Sequence, residues 1–523
     1  MDRDRRLSPA FLTLIALQCL AFSGPAHAAE PSPAPRPQVL VILWFDTEDY
    51  ILPASDDAAK RIAEILTERG IRGTFKVVGE KARVLERRGR RDVIDALRKH
   101  DIAYHTDFHS VHPTVAEYLA GCAWTDGVAE FIRREGAGAR DVRRIFGVDA
   151  LSCYGQPGSS FAPQAFAALR EIGVAPRGVP CYVDEGDHVG LDGKPFRFCG
   201  AITVYRMGAN CTRMDLHEEG GLDRAVAAFR EVHRRLSAEG GGLVSVYYHP
   251  CEWVHREFWD GVNFARGANP LDGWKLPGQR PAAETEAAFR RYEKYIDSMK
   301  SLEGVKFIVA SDLPEIYPDP VRREGLDAAG IERLAREIAR SGKADIIEIA
   351  PGRFLSPADQ FAALVEYLGK SFEKRDNPEH VEVLDVLGPS ESPPETEVSE
   401  VTPMAFIRTV VDVRDALRTR RQIPSPVFVG SKKVAPADFL VACAAVTSEL
   451  LTRGVPGERV FQKPVAVPRG TRLAPERYVA SDSPGLFGGW VIHPEGFRAP
   501  RIVEMTKLQA WTLKPAGPAR PLP

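Results

Sequence analysis

VLVILWFDTEDY, residues 39–50, is the stretch on which the fold turns. Apolar residues run unbroken from Val39 to Phe45, and the acids Asp46, Glu48 and Asp49 follow at once. A strand with one wet face would alternate polar and apolar residues, so an unbroken run reads as a strand covered on both faces, as in a parallel sheet. If the extended backbone continues, Asp46 and Glu48 project to one side and Asp49 to the other. A charged loop capping the next helix is the plainer explanation of three acids, but Asp56 or Asp57 can already do that. Asp46 and Glu48 therefore read as functional carboxylates.

Upstream, residues 29–38 (AEPSPAPRPQ) form a proline-rich tether that supports neither helix nor ladder bonding. Before it come Arg3, Arg5 and Arg6, an apolar stretch at 10–22, and Ala26-His27-Ala28, the order of a cleavable secretory signal at 1–28. The apolar stretch is short for a membrane span, and Ser23, Gly24 and Pro25 interrupt it. The expectation is a secreted or periplasmic protein with no transmembrane segment once the signal is removed. Gln18 before Cys19 is not the small residue of a lipoprotein signal. Six of the eight cysteines lie between Cys122 and Cys251. Disulfides and buried free thiols both fit them, and the absence of CxxC spacing argues against a thiolate zinc site.

Downstream the pattern alternates. Helical spacing at 57–69, 92–99, 163–172 and 283–301 is interleaved with strand-like stretches at 73–78, 102–104, 150–154, 242–248 and 305–310. Such βα alternation predicts an α/β domain over 39–320, built on a parallel sheet or barrel whose functional groups sit at strand C-terminal ends. Asp46, His105 and His249 all occupy such ends. Past Pro320 the texture changes, and residues 321–523 read as a smaller, mainly helical domain. It repeats a phrase, LSPADQFAAL from Leu355, VTPMAFIRTV from Val401 and VAPADFLVAC from Val434, in which a proline opens an apolar helix. At 523 residues, 44% hydrophobic and 27% charged, two globular domains are expected. A net charge of −2 leaves no broad electrostatic footprint for nucleic acid.

Nine of the twelve histidines fall between His100 and His255. Within HTDFHSVHP, residues 105–113, His105 and His109 are four apart, which on a helical turn places two imidazoles on one face within reach of one cation. Their position directly after a strand favours a metal site over two exposed loop histidines. His112 and Asp107 read as surface residues of that loop. In VSVYYHPCEW, residues 244–253, His249 ends an apolar strand that Pro250 terminates, where an imidazole can pass a proton to a leaving group.

Together these pieces resemble the polysaccharide deacetylase (NodB homology) family. Five features over roughly 39–320 carry the resemblance, in order: FDTED, GTFKVVGE from Gly73, HTDFH, CYGQPGSS from Cys153, and YYHP. The resemblance implies a distorted (β/α) barrel with a divalent metal, most commonly zinc, that removes acetyl groups from amino sugars of a glycan. It makes Asp46 the general base, His249 the general acid, and Glu48, His105 and His109 the metal ligands, with Asp49 as the alternative carboxylate. It also places Tyr154 and Gln156 near the substrate. Trp253, with Phe258, Trp259 and Trp274, offers flat faces for stacking on sugars or equally for core packing. Many family members carry an arginine in the Gly-Pro-rich motif, paired with the catalytic aspartate; here Gly155 stands in its place. Gln156 or an arginine from elsewhere would then orient Asp46. The 321–523 repeats faintly resemble pseudomurein-binding repeats, implying glycan or cell-wall binding. Alternatives are an O-acetyl esterase on the same scaffold and a catalytically impaired glycan-binding protein.

Overall fold

The computed structural model describes residues 37–184, 186–205, 208–264, 273–374, 377–453, 463–488 and 493–519. The expected signal at 1–28 and nearly all of the tether lie outside these residues.

The apolar run at 39–45 becomes the central strand, β1 (Gln38–Thr47). Around it in chain order stand β2 (Thr74–Val77), β3 (Asp101–Tyr104), β4 (Tyr154–Gly155), β5 (Cys181–Asp184), β6 (Phe196–Phe198), β7 (Ala201–Tyr205), β8 (Cys211–Arg213), β9 (Gly241–Tyr248) and β10 (Val305–Ile308). The sheet order is β6-β7-β5-β4-β3-β2-β1-β9-β8, with β10 also paired to β1. Every pairing except β6–β7 is parallel within this set. The result is a distorted (β/α) barrel. Among the described residues no helix is long and apolar enough to cross a membrane.

Both faces of β1 are indeed covered. Val39, Val41, Leu43 and Phe45 pack with outer helical residues such as Ala59, Ile62 and Leu66, whereas Leu40, Ile42 and Trp44 join Ala103, Ile202 and Leu243 on the inner face. Asp46 and Glu48 continue the inward-facing row, so they meet at the open end of the barrel.

The region left unread between the expected helix at 163–172 and β9 supplies β5 to β8, strands too short to show a period. The helices at Pro53–Glu68, Arg91–Leu97, Pro163–Ala168 and Ala282–Lys300 match the expected ones to within a few residues, except that the first opens at Pro53 and the third stops early. Asp56 does not cap the first helix; it is buried and pairs with Lys81 at 2.5 Å.

Past Pro320, helices Ala328–Ser341, Pro357–Lys374, Pro403–Arg420 and Pro436–Arg453 share a second core that includes Leu334, Phe361, Phe406 and Phe439. In two of its three copies, those with Ser356 and Thr402, the repeated phrase is a capping device. Asp359 N–H donates to the Ser356 hydroxyl, Ala405 N–H to Thr402, and Asp327 caps a fourth helix that lacks the proline. The expected range 321–523 is divided in its packing, however. Phe487, Ile502, Val503 and Met505 pack into the barrel's outer cluster, and Lys514–Pro515 pairs antiparallel with β6, covering what would be an open sheet edge. All seven described cysteines are free thiols.

Candidate active site

Register builds the first half of the site. Asp46 lies opposite Lys76 in the β1–β2 pairing, and the two side chains meet in the interior with Nζ 2.6 Å from Oδ1. Lys76 is fully buried and Asp46 is 1% exposed. The cation that the sequence lacked at Gly155 is therefore supplied by β2. Lys76 also explains why no larger residue stands at 155: a Cβ there would lie 2.4 Å from Lys76 Cδ. Gln156 does not orient Asp46. Its amide donates to Gly158 O at 2.7 Å and its carbonyl accepts from the Tyr182 hydroxyl at 2.8 Å.

The second half is the 105–109 loop. It is not helical, as HxxxH spacing suggested; Thr106 and His109 adopt left-handed backbone angles, φ 64° and 55°. Histidine tolerates that conformation, but β-branched Thr106 does not favour it. It is held by Gly79 N–H on Thr106 O, by Glu80 N–H on Asp107 O, and by His109 N–H on the Thr106 hydroxyl. Asp107 is buried rather than on the surface, paired with Arg83 at 2.7 Å, while His112 sits 2.8 Å from Glu117. The loop brings both imidazoles to Glu48, with Nε2 of His109 2.9 Å and of His105 3.3 Å from Oε2.

Each imidazole is also held from behind. His105 Nδ1 is 2.8 Å from Gly155 O, and His109 Nδ1 lies 2.8 Å from Ser110 Oγ and 3.2 Å from Asp260 Oδ2. The Trp259 indole donates to Glu48 Oε1 at 2.9 Å. Carboxylate and carbonyl partners behind histidines are the arrangement that fixes tautomer and ring direction at metal sites. Glu48, His105 and His109 bring ligand atoms within 4.8 Å of one another, as do Asp46, Glu48 and His249. Asp49 is turned away: its Oδ1 accepts from Ile51 and Leu52 N–H, and its Oδ2 lies 3.1 Å from His255.

His249 follows β9 and faces Asp46, Nε2 to Oδ2 3.4 Å. Its Nδ1 is 2.5 Å from Glu252 Oε1, and Glu252 is in turn paired with Arg213. Charges this close move one another's protons. Burial alone would raise the Asp46 carboxyl, but Lys76, His105 and His249 hold it well below the usual carboxylate range. Burial would lower His249, yet Glu48, Asp46 and Glu252 push it well above the usual imidazole value. Against the same burial, Glu48 and Asp260 raise His109 to about 10. A buried carboxylate facing two imidazoles demands a positive charge between them. A proton or a cation can supply it, so the donor set fits a metal.

A cavity of about 630 Å³ opens onto Glu48, His109 and His249. Phe258 lines it, its ring 4.9 Å from that of His249. Tyr154, Gln156 and Trp253 do not line it. Tyr154 is buried among Tyr104, Phe131 and Tyr182, and Trp253 is fully buried with its ring stacked on Phe289 at 5.6 Å.

No protein-family profile matches the chain, and no curated protein matches it either. Solved structures do. The Xyl-CE4 domain of a multidomain xylanase from the hindgut metagenome of Trinervitermes trinervoides is 12% identical, covering 53% of this chain and 90% of its own, with a TM-score of 0.29. A CE4 esterase from Streptococcus mutans is 13% identical over 52% of this chain and 86% of its own, TM-score 0.29. Puue allantoinase is 11% identical over 53% and 92%, TM-score 0.33. Likenesses this distant say nothing of substrate or bond, and the chemistry of the site rests on its own residues. Lys76, Ser110, Glu252 and Asp260 were not singled out from sequence. A lysine inside an apolar strand is the one signal among them, since a lysine buried on both sides needs a partner.

Proposed function

We propose that the protein is an exported, metal-dependent hydrolase that removes acetyl groups from the amino sugars of a cell-envelope or extracellular glycan. One observation carries this reading: a buried base, Asp46, stands between a fixed cation, Lys76, and a second titratable group, His249, beside a three-residue donor set at the strand C-terminal ends. Glu48, His105 and His109 would hold a divalent cation, and an N/O set of two imidazoles and one carboxylate suits zinc. When bound, that ion supplies Lewis-acid polarisation of the acetyl carbonyl and activation of water.

The chain's own residues do the rest. Lys76, whose ammonium approaches Oδ1, keeps Asp46 ionised, and the ionised carboxylate can accept a proton from water. His249, held charged by Glu252, donates from Nε2 to the departing amine. Trp259 orients Glu48, and Asp260 with Ser110 orients His109. The alternative of a catalytically impaired binding protein drew its support from the missing arginine; Lys76 beside Asp46 is what favours the catalytic reading over it. Export rests on the first 28 residues, read as a signal.

The test is acetate release from N-acetylated and O-acetylated glycans, with and without chelator. Release should require metal and fall by orders of magnitude in Asp46→Asn and His105→Ala proteins. Release that persists in those variants sinks the mechanism, and preference for O-acetyl groups would make the protein an esterase.

A further inference from the structure

The cavity is not made by the barrel alone. Ala480, Ser481, Ser483, Gly485, Leu486 and Gly488, far along the chain from every motif, line it together with the site residues. The stretch is fastened to the loops after β4 and β5. The Ser159 hydroxyl donates to Phe487 O at 3.0 Å, Ala480 N–H to His188 O at 2.9 Å, and Val479 forms an antiparallel bridge with Val189. Phe487 is fully buried, with its ring 5.3 Å from that of His188 and 5.7 Å from that of Phe497. Gly158, Ser159, Gly186 and Asp187 from those same loops also line the cavity. Arg213, Tyr247, His249 and Phe258 complete the lining. Residues 480–488 thus build up one rim, turning the mouth of a barrel into a pocket of about 630 Å³. That volume lies within the range of pockets that enclose small ligands, roughly 300 to 1,000 Å³.

We propose that residues 480–488 are the wall that sets substrate length, so that the site takes a short oligosaccharide or the end of an acetylated chain and rejects a strand running through it. This rests on the deacetylase reading above and adds a substrate class to it. The wall presents the exposed hydroxyls of Ser481 and Ser483 and the partly exposed side chain of Leu486, groups suited to a sugar's polar edge and apolar face.

Calorimetric titration of the complete, zinc-supplemented protein with N-acetylglucosamine and its oligomers up to the hexasaccharide tests the wall, with acetate release read on the same samples. Affinity should rise to the di- or trisaccharide and then level off. Ser481→Trp and Ser483→Trp should each weaken disaccharide binding by about tenfold or more while keeping the thermal midpoint. Affinity that keeps tightening to the hexasaccharide overturns the proposal, as does indifference to both tryptophans or failure of every oligomer to bind. If the tryptophan variants do not fold, the length profile of the unaltered protein decides alone. Oligomers that bind with the plateau but yield no acetate would remove the deacetylase reading and leave the wall. Acetate freed evenly along a polymer would do the reverse.

Discussion

Replacing Lys76 with methionine keeps most of the side chain's volume and removes its charge. The pair it breaks is fully enclosed, with Lys76 buried completely and Asp46 1% exposed. Removing one partner of such a pair strands the other, which costs about 3 to 5 kcal/mol. The sign with pH follows from Asp46. Its carboxyl is depressed in the folded protein, so its contribution is complete above the ordinary carboxylate pKa and fades as pH falls through the lower, folded value. In Lys76→Met protein burial is less opposed and the carboxyl moves up. The loss is therefore largest near neutral pH and shrinks as acid protonates Asp46. Metal-free wild-type, Lys76→Met, Asp46→Asn and doubly substituted proteins form a cycle, read by urea unfolding with circular dichroism. A chain this long need not unfold in one step, so midpoints are compared within the set. The double variant should recover much of the loss, giving a coupling of about 2 kcal/mol or more. The reasoning fails if Lys76→Met costs under about 1 kcal/mol at neutral pH, or if adding Asp46→Asn restores nothing.

The rate of acetate release should hold a broad plateau across neutrality. It falls in acid only below the ordinary carboxylate range, as Asp46 protonates, and in alkali only above the ordinary imidazole value, as His249 loses its proton; Glu252→Gln should bring that alkaline limb to lower pH. Trp259→Phe, which deletes the indole bond to Glu48, should weaken zinc binding by about 10- to 100-fold in competition with a chromophoric chelator, and an unchanged affinity would show that the indole does not hold the ligand. Gly155→Arg should collide with Lys76 and lower the thermal midpoint, an overpacking cost of about 1 to 3 kcal/mol, whereas Lys76→Ala with Gly155→Arg should regain much of it; equal midpoints for the two would refute the shared space.

What the sequence disclosed follows a physical division. Asp46 and Glu48 were readable because they extend the alternation of Leu40, Ile42 and Trp44 past the end of a strand buried on both faces, and parity needs no knowledge of neighbours. The ends of β3 and β9 were readable for the same reason, as were helix starts marked by a capping residue and proline. Lys76 needed register. Its meaning appears only when β2 is laid against β1 with Asp46 opposite. The 105–109 loop needed tertiary context, because left-handed Thr106 goes against the preference of a β-branched residue and is held by bonds from residues 79 and 80 to Thr106 O and Asp107 O. Asp260, on the five-residue helix Trp259–Asn263, and residues 480–488 reach the site from distant segments too short or irregular to show a period, so nothing local announces them.

The lysine also changes what the base can do. A guanidinium is a planar fork that engages both oxygens of a carboxylate, whereas an ammonium is a compact point charge with three rotatable donors and no fixed bidentate geometry. Lys76 approaches Oδ1 of Asp46 at 2.6 Å, and Oδ2 stays directed at His249, 3.4 Å away. The lysine and the imidazole thus come nearest to different oxygens of the same carboxylate. Gly155 belongs to the same arrangement twice over: its missing side chain leaves room for Lys76, and its carbonyl holds His105 Nδ1 at 2.8 Å. A side chain at 155 would displace the lysine and, through the backbone, disturb a candidate metal ligand. Glycine at 155 and lysine at 76 are therefore one solution in two places, and either change without the other should be worse than both together.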